Sequence, residues 1–167
     1  MSDRLRTVVM GVSGSGKSTI GELVAERLRA DYVDADAAHP RTNIDKMSAG
    51  IPLTDEDRWP WLDRLRHELT SSERIVVTCS ALKRSYRDRL RQAGDVSFVY
   101  LEVDESTVRA RVGEREGHFM KGDMVASQFA TLERPAPDEP DVMIVDARTG
   151  IEHLVARVMD LLDPAAG

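Results

Sequence analysis

Short apolar runs alternate with stretches of helical period along this chain. Runs at 7–12, 30–34, 75–79, 96–103 and 141–146 are rich in Val, Ile or aromatic residues and predict five strands. Most read as apolar on both faces, as strands covered on two sides do. Between them, Ile20, Leu23, Val24 and Leu28 fall on one helical face, as do Leu62, Leu65 and Leu69. The second of these helices follows Thr54-Asp55-Glu56-Asp57, a capping sequence. Ile151, Leu154, Val155, Val158 and Leu162 predict a last helix after Gly150. Further helices are predicted after Lys83, after Asp104, and across Met124, Val125, Phe129 and Leu132 with Asp123 as cap. Strands alternating with helices predict a parallel sheet wrapped on both faces.

Two stretches break the alternation. The first, 36–58, is long, polar and rich in turn residues; the second, 113–122, sets Arg115, His118 and Lys121 between glycines. Long irregular segments in compact domains tend to be functional. The first is expected to shape a substrate site (approximately 36–62) and the second to form a mobile lid.

With 167 residues, the chain is expected to form one domain spanning 1–167 and to bury roughly two-thirds of its unfolded surface. A hydrophobic share of 41% beside 31% charged residues is ordinary for a globular protein. A net charge of -6, with no basic stripe interleaved with aromatics, argues against a nucleic-acid binder. The one cysteine, Cys79, excludes an internal disulfide framework and suits a reducing cytoplasm. The N-terminal apolar run is brief and broken by glycines, so neither a signal peptide nor a membrane span is expected.

The strongest chemical signal lies between the first strand and first helix. Gly11-Val12-Ser13-Gly14-Ser15-Gly16-Lys17-Ser18 matches G-x-x-x-x-G-K-[ST] in full, in a strand-to-helix context. Glycines let backbone N–H groups converge on phosphates, and the helix N-terminus adds its positive dipole end. Lys17 is placed to bridge the β- and γ-phosphates and Ser18 to ligate Mg²⁺. This predicts the P-loop NTPase-type α/β fold: three layers (α/β/α) around a five-stranded, mostly parallel sheet. The loop specifies nucleotide binding and leaves GTPase, ATPase and kinase open; the absence of an Asn-Lys-x-Asp pattern disfavours a GTPase.

Other charged residues follow strand ends. Asp34 and Asp36, two apart on an extended chain, share one side at the carboxyl edge where open parallel sheets bind ligands. One can hold Mg²⁺ through water and the other accept a proton from a hydroxyl. Lys83 and Arg87 are four apart on a predicted helix face, suited either to an anion or to solvent. Arg111 and Arg115 have the same spacing and lead into the lid, where an arginine can offset transfer charge. His39 and His118 belong to no metal-ligand pattern. Trp59 and Trp61 suit a sugar pocket, although at this spacing one of the two belongs in the core.

Over nearly its whole length the chain resembles the gluconate kinase family, small P-loop kinases related to shikimate kinase. Besides the loop, the resemblance rests on His39-Pro40-Arg41-x-Asn43-Ile44-x-Lys46-Met47, Gly50-x-Pro52-Leu53-x-Asp55-x-Asp57-Arg58 and Pro60-Trp61-Leu62. It continues in Cys79-Ser80-Ala81-Leu82-Lys83, Tyr86-Arg87-Asp88, Gly117-His118-Phe119, Gln128-Phe129-x-Thr131-Leu132-Glu133 and Val145-Asp146. Ala35 departs from the pattern, since some relatives carry glycine there; both flanking carboxylates are kept.

The resemblance implies transfer of phosphate from ATP to gluconate with Mg²⁺, in a cytoplasmic homodimer. It implies nucleotide contacts from Gly11, Ser13, Gly14, Ser15, Gly16, Lys17, Ser18 and Thr19. Asp36 becomes the group that orients or deprotonates the attacking hydroxyl, Asp34 a ligand of Mg²⁺ water beside Ser18, and Arg115 the lid arginine. His39, Arg41, Lys46, Arg58, Lys83, Arg87, His118 and Gln128 are implied around the substrate. Competing readings are a P-loop kinase for another polyhydroxy acid such as shikimate, and a nucleotide-dependent switch that phosphorylates no small molecule.

Overall fold

The computed structural model describes residues 4–113 and 122–163. Its strands are β1 (Leu5–Met10), β2 (Asp31–Asp34), β3 (Arg74–Thr78), β4 (Ser97–Glu102) and β5 (Val142–Asp146). The helices are α1 (Lys17–Leu28), α2 (Arg41–Ser48), α3 (Asp55–Ser71), α4 (Arg84–Arg91), α5 (Glu105–Gly113), α6 (Gly122–Thr131) and α7 (Ile151–Leu162), with a 3-10 turn at Ala35–Ala38. The strands form one sheet in the order β2-β3-β1-β4-β5. Every pairing is parallel, with Val8 of β1 opposite Val77 of β3 and Phe98 of β4.

Alternation along each strand builds the three layers, because successive side chains leave opposite faces of a sheet. Val8 and Met10 of β1, Ile75 and Val77 of β3, and Phe98 and Tyr100 of β4 face a core closed by Trp61, Leu62, Leu65 and Leu69 of α3 and Leu90 of α4. Val9, Val76, Val99 and Leu101 face the other core, closed by Ile20, Val24 and Leu28 of α1 and by Leu154, Val155 and Val158 of α7. The helix α1 approaches the sheet so closely that a methyl group on Gly21 would lie 2.2 Å from Thr78 Cγ2. Among the described residues, no helix is long and apolar enough to cross a membrane.

The polar stretch 36–58, expected to be irregular, is largely helical. It contains most of the 3-10 turn, all of α2 and the start of α3. In α2, RTNIDKMS, the apolar residues Ile44 and Met47 are exposed, and only Asn43 is buried. Tertiary hydrogen bonds take the place of a buried hydrophobic face: Asn43 Nδ2 donates to Asp57 O (3.0 Å), and Lys46 Nζ donates to both Asp57 carboxylate oxygens (2.9 and 2.8 Å). The capping sequence at Thr54 is a complete capping box. Thr54 Oγ1 accepts from Asp57 N, and Asp57 Oδ2 accepts from Thr54 N. At the other end of the chain, α6 begins at Gly122, ahead of Asp123, its expected cap. Residues 114–121, which hold Arg115 and His118, lie outside the described residues.

Candidate active site

The loop between β1 and α1 leaves the carboxyl edge of the central strand, where the chain has switched from one side of the sheet to the other. Gly16 caps α1 in the left-handed region (φ 91), which glycine enters without steric penalty. It supplies no side-chain cap, and the first turn of α1 carries no acidic residue. The N–H groups at this helix end are therefore open to an anion, with the positive end of the dipole behind them. Lys17 is buried, at 8% exposure, while Ser18 and Thr19 face outward. Gly11 has no room for a side chain: a methyl group there would sit 2.8 Å from the buried hydroxyl of Ser15.

Two distant side chains grip the loop. Gln128 Oε1 accepts from Ser13 N at 2.7 Å, and Gln128 Nε2 donates to Ser13 Oγ at 3.0 Å. Arg111 Nη1 donates to Gly14 O at 3.0 Å, and its Nη2 to Ala147 O at 2.8 Å.

Beside the loop, Asp34 ends β2 and its Oδ1 accepts from Asp36 N at 2.9 Å, closing the turn that presents Asp36 to solvent. Trp61 Nε1 donates to Ala35 O at 2.7 Å and ties this turn to α3. Cys79, just past β3, senses the whole group. Burial pushes its thiol up to about 12; Asp36 and Asp34 add to the rise, and Lys17 opposes it. Asp34 ends β2, Asp36 follows on the next turn, and Lys17 begins α1, all at the carboxyl edge of the sheet.

A third group forms where α3 and α4 meet. Tyr86 donates its hydroxyl proton to Asp55 Oδ1 at 2.5 Å. Arg58 Nη1 donates to Tyr86 Oη (3.1 Å) and to Leu53 O (2.8 Å), and Lys83 Nζ donates to Asp55 Oδ1 at 3.1 Å. Arg58 and Lys83 both lie over the Tyr86 ring, 5.4 and 5.7 Å from its centroid. Burial, and then the bond to Asp55, push the Tyr86 phenol up to about 12, so it stays a neutral donor. His39 stacks on Trp61, with centroids 4.1 Å apart, and its Nδ1 pairs with Asn43 Nδ2 at 3.2 Å. Burial lowers its pKa below the ordinary value of 6.5, helped by Arg58 and opposed by Asp36. A neutral imidazole at pH 7 follows.

The residues expected around a substrate therefore divide. Arg58 and Lys83 converge, and His39 is within electrostatic reach of Arg58 and Asp36. Lys46 pairs with Asp57 as Lys83 pairs with Asp55, and Arg41 pairs with Asp45 on an exposed face of α2. Arg87 requires correction. It is fully buried, and its guanidinium is committed to Glu139 (2.8 and 2.9 Å) and to the carbonyls of Ala81, Leu82 and Glu133. It cannot meet a ligand in this arrangement, because a buried guanidinium needs all its donors satisfied. Gln128 likewise has its amide engaged by Ser13. Of the tryptophans, Trp61 is core, and Trp59 packs edge-on against Tyr86 at 5.9 Å.

Asn43, Asp55 and Tyr86 stand in the sequence segments quoted above, yet apart from the place of Asp55 in the capping sequence nothing local assigned them roles. Glu139 carries no sequence signal at all.

A helix end free of acidic groups and a buried lysine at a sheet switch point, with a pair of carboxylates after β2 at the same carboxyl edge, are chemistry for a polyphosphate. The class so defined is that of the P-loop nucleotide-binding proteins. The AAA domain family model matches residues 7–135. The thermosensitive gluconokinase of Escherichia coli (strain K12) is 48% identical over 158 residues, 92% of this chain and 82% of that protein. The thermoresistant gluconokinase of the same strain is 44% identical over 160 residues, 93% and 91% of the two chains. A gluconokinase structure from Sinorhizobium meliloti 1021 superposes with a TM-score of 0.87 at 44% identity, covering 99% of this chain and 98% of that one. The chain belongs to the AAA domain family and, more narrowly, to the gluconokinases.

Proposed function

We propose that this protein phosphorylates D-gluconate with ATP, giving 6-phospho-D-gluconate and ADP by direct in-line transfer. The observation that carries the reading is the uncapped, glycine-entered N-terminus of α1 at the sheet switch point, in a chain 44–48% identical to the two gluconokinases of Escherichia coli (strain K12). The loop amides and Lys17 hold the triphosphate and offset charge during transfer. Asp36, on its turn pinned by Asp34 and Trp61, orients the attacking hydroxyl and accepts its proton. Arg58 and Lys83, gathered at Tyr86, are the cations that receive the sugar-acid carboxylate. The Ser18 hydroxyl and the Asp34 carboxylate are hard oxygen donors and fit Mg²⁺. When bound, the ion neutralises phosphate charge. The reading also carries a cytoplasmic location and a homodimer, and keeps the lid expected at 113–122, of which 114–121, with Arg115 and His118, lie outside the described residues.

The test is ATP consumption by the purified protein across a panel of sugar acids and shikimate, with the phosphorylated carbon assigned by NMR. Gluconate is expected to be turned over fastest, at its C6 hydroxyl. A Lys17→Ala variant should keep its fold and lose most turnover. Equal ATP consumption with and without gluconate would reject the kinase reading in favour of a nucleotide switch.

A further inference from the structure

Gln128 was expected at the substrate, yet the structure turns its amide onto the phosphate loop. The two residues are 115 positions apart, and the contact has two parts: Oε1 accepts the Ser13 backbone proton at 2.7 Å, and Nε2 donates to the Ser13 hydroxyl at 3.0 Å. A side-chain amide presents an acceptor and a donor side by side, which a backbone N–H next to a hydroxyl can use together. One residue further along, Arg111 takes the Gly14 carbonyl at 3.0 Å. Consecutive residues of the loop are thus held from outside, by α6 through Gln128 and by α5 through Arg111. Within the loop, Ser15 N donates to Val12 O at 3.2 Å, closing the turn that these contacts brace.

We propose that Gln128 is a positioning residue for the nucleotide: it fixes the Ser13 peptide so that the loop is already in phosphate-binding shape before ATP arrives. Amides fixed in advance need no reorganisation when charge appears among them, and there lies their advantage over water. A loop with three glycines among its first six residues, Gly11, Gly14 and Gly16, otherwise has many conformations to lose on binding. Gln128 and Arg111 remove that freedom during folding, and the nucleotide then binds a rigid cradle. The inference rests on the reading of the loop as the ATP site.

The experiment is calorimetric titration of wild type, Gln128→Ala and Ser13→Ala with AMPPNP and Mg²⁺, alongside steady-state kinetics in ATP and gluconate. Gln128→Ala is expected to weaken AMPPNP binding roughly tenfold, equivalent to about 1.4 kcal/mol. It should raise KM for ATP in step and leave KM for gluconate within about twofold. Ser13→Ala removes only the hydroxyl partner and should show a smaller loss in the same direction; it also carries the test if Gln128→Ala fails to fold. A rise in KM for gluconate alone would make Gln128 a substrate contact and overturn the inference. So would unchanged AMPPNP affinity in the folded variants. Failure of wild type to bind AMPPNP would instead reject the ATP-site reading itself.

Discussion

Replacing Arg87 with methionine keeps much of the side-chain volume at the junction of α4 with segment 133–141 and deletes every donor there. Arg87 is 0% exposed and Glu139 is 5% exposed. In the variant, Glu139 keeps Arg91 Nη2 at 2.7 Å and Ala136 N at 3.3 Å, but loses both bonds from Arg87. The carbonyls of Ala81, Leu82 and Glu133 lose a donor too. Breaking a buried ion pair from one side costs about 3–5 kcal/mol, because the remaining charge can neither pair fully nor reach water. That is a large part of a typical total of about 5–15 kcal/mol. For a chain of this length, the melting temperature should fall by roughly 6–20 °C.

The pH dependence gives this prediction a second readout. The bond from Arg87, aided by Arg91 and against the effect of burial, holds the Glu139 carboxyl at about 2, below its ordinary 4.5. A carboxyl depressed in the folded state contributes stability that is complete above 4.5 and is lost as pH falls through about 2. The gap between wild type and Arg87→Met should therefore be full at pH 7 and shrink on acidification across that window. Urea denaturation followed by circular dichroism at several pH values measures it. A loss under about 1 kcal/mol at pH 7, or a gap that does not change with pH, would refute the reasoning. The double variant Arg87→Met/Glu139→Leu should recover part of the loss, since a dry apolar pair strands no charge.

Gly21→Ala puts a methyl group 2.2 Å from Thr78 Cγ2 and should cost about 1–3 kcal/mol in denaturation despite alanine's better helix propensity. Thr78→Ser, which removes that methyl, should rescue it. Thr54→Ala opens the capping box of α3 and should cost about 0.5–2 kcal/mol, read from the melting curve. Asp36→Asn should lower kcat well beyond any loss of gluconate affinity; equal losses in both would leave Asp36 a binding role only.

What could be read from residue order alone was whatever depends on neighbours in the chain. The phosphate loop is eight contiguous residues between a strand and a helix, and its shape follows from its own glycines. The five strands were legible as short apolar runs, because both their faces are covered, and the α1, α3 and α7 stripes because burial on one face imposes a helical period. The carboxylates after β2 were legible for the same reason: strand end and turn are local.

Partnership across the fold was not legible. Helix α4 carries Arg84, Arg87, Arg89 and Arg91, chemically alike in the sequence. Three-dimensional placement sends Arg87 inward to Glu139 and Arg89 to Asp63 on α3, and leaves Arg84 exposed beside Asp138. Helix α2 was invisible because its stability comes from Asp57 and the first turn of α3, and not from an apolar face. Gln128 looked like a substrate residue until folding brought Ser13 to it across 115 positions. A periodic pattern records that a side chain is buried; which donor meets which acceptor is settled when distant segments pack, because a hydrogen bond is made or lost within a few tenths of an ångström.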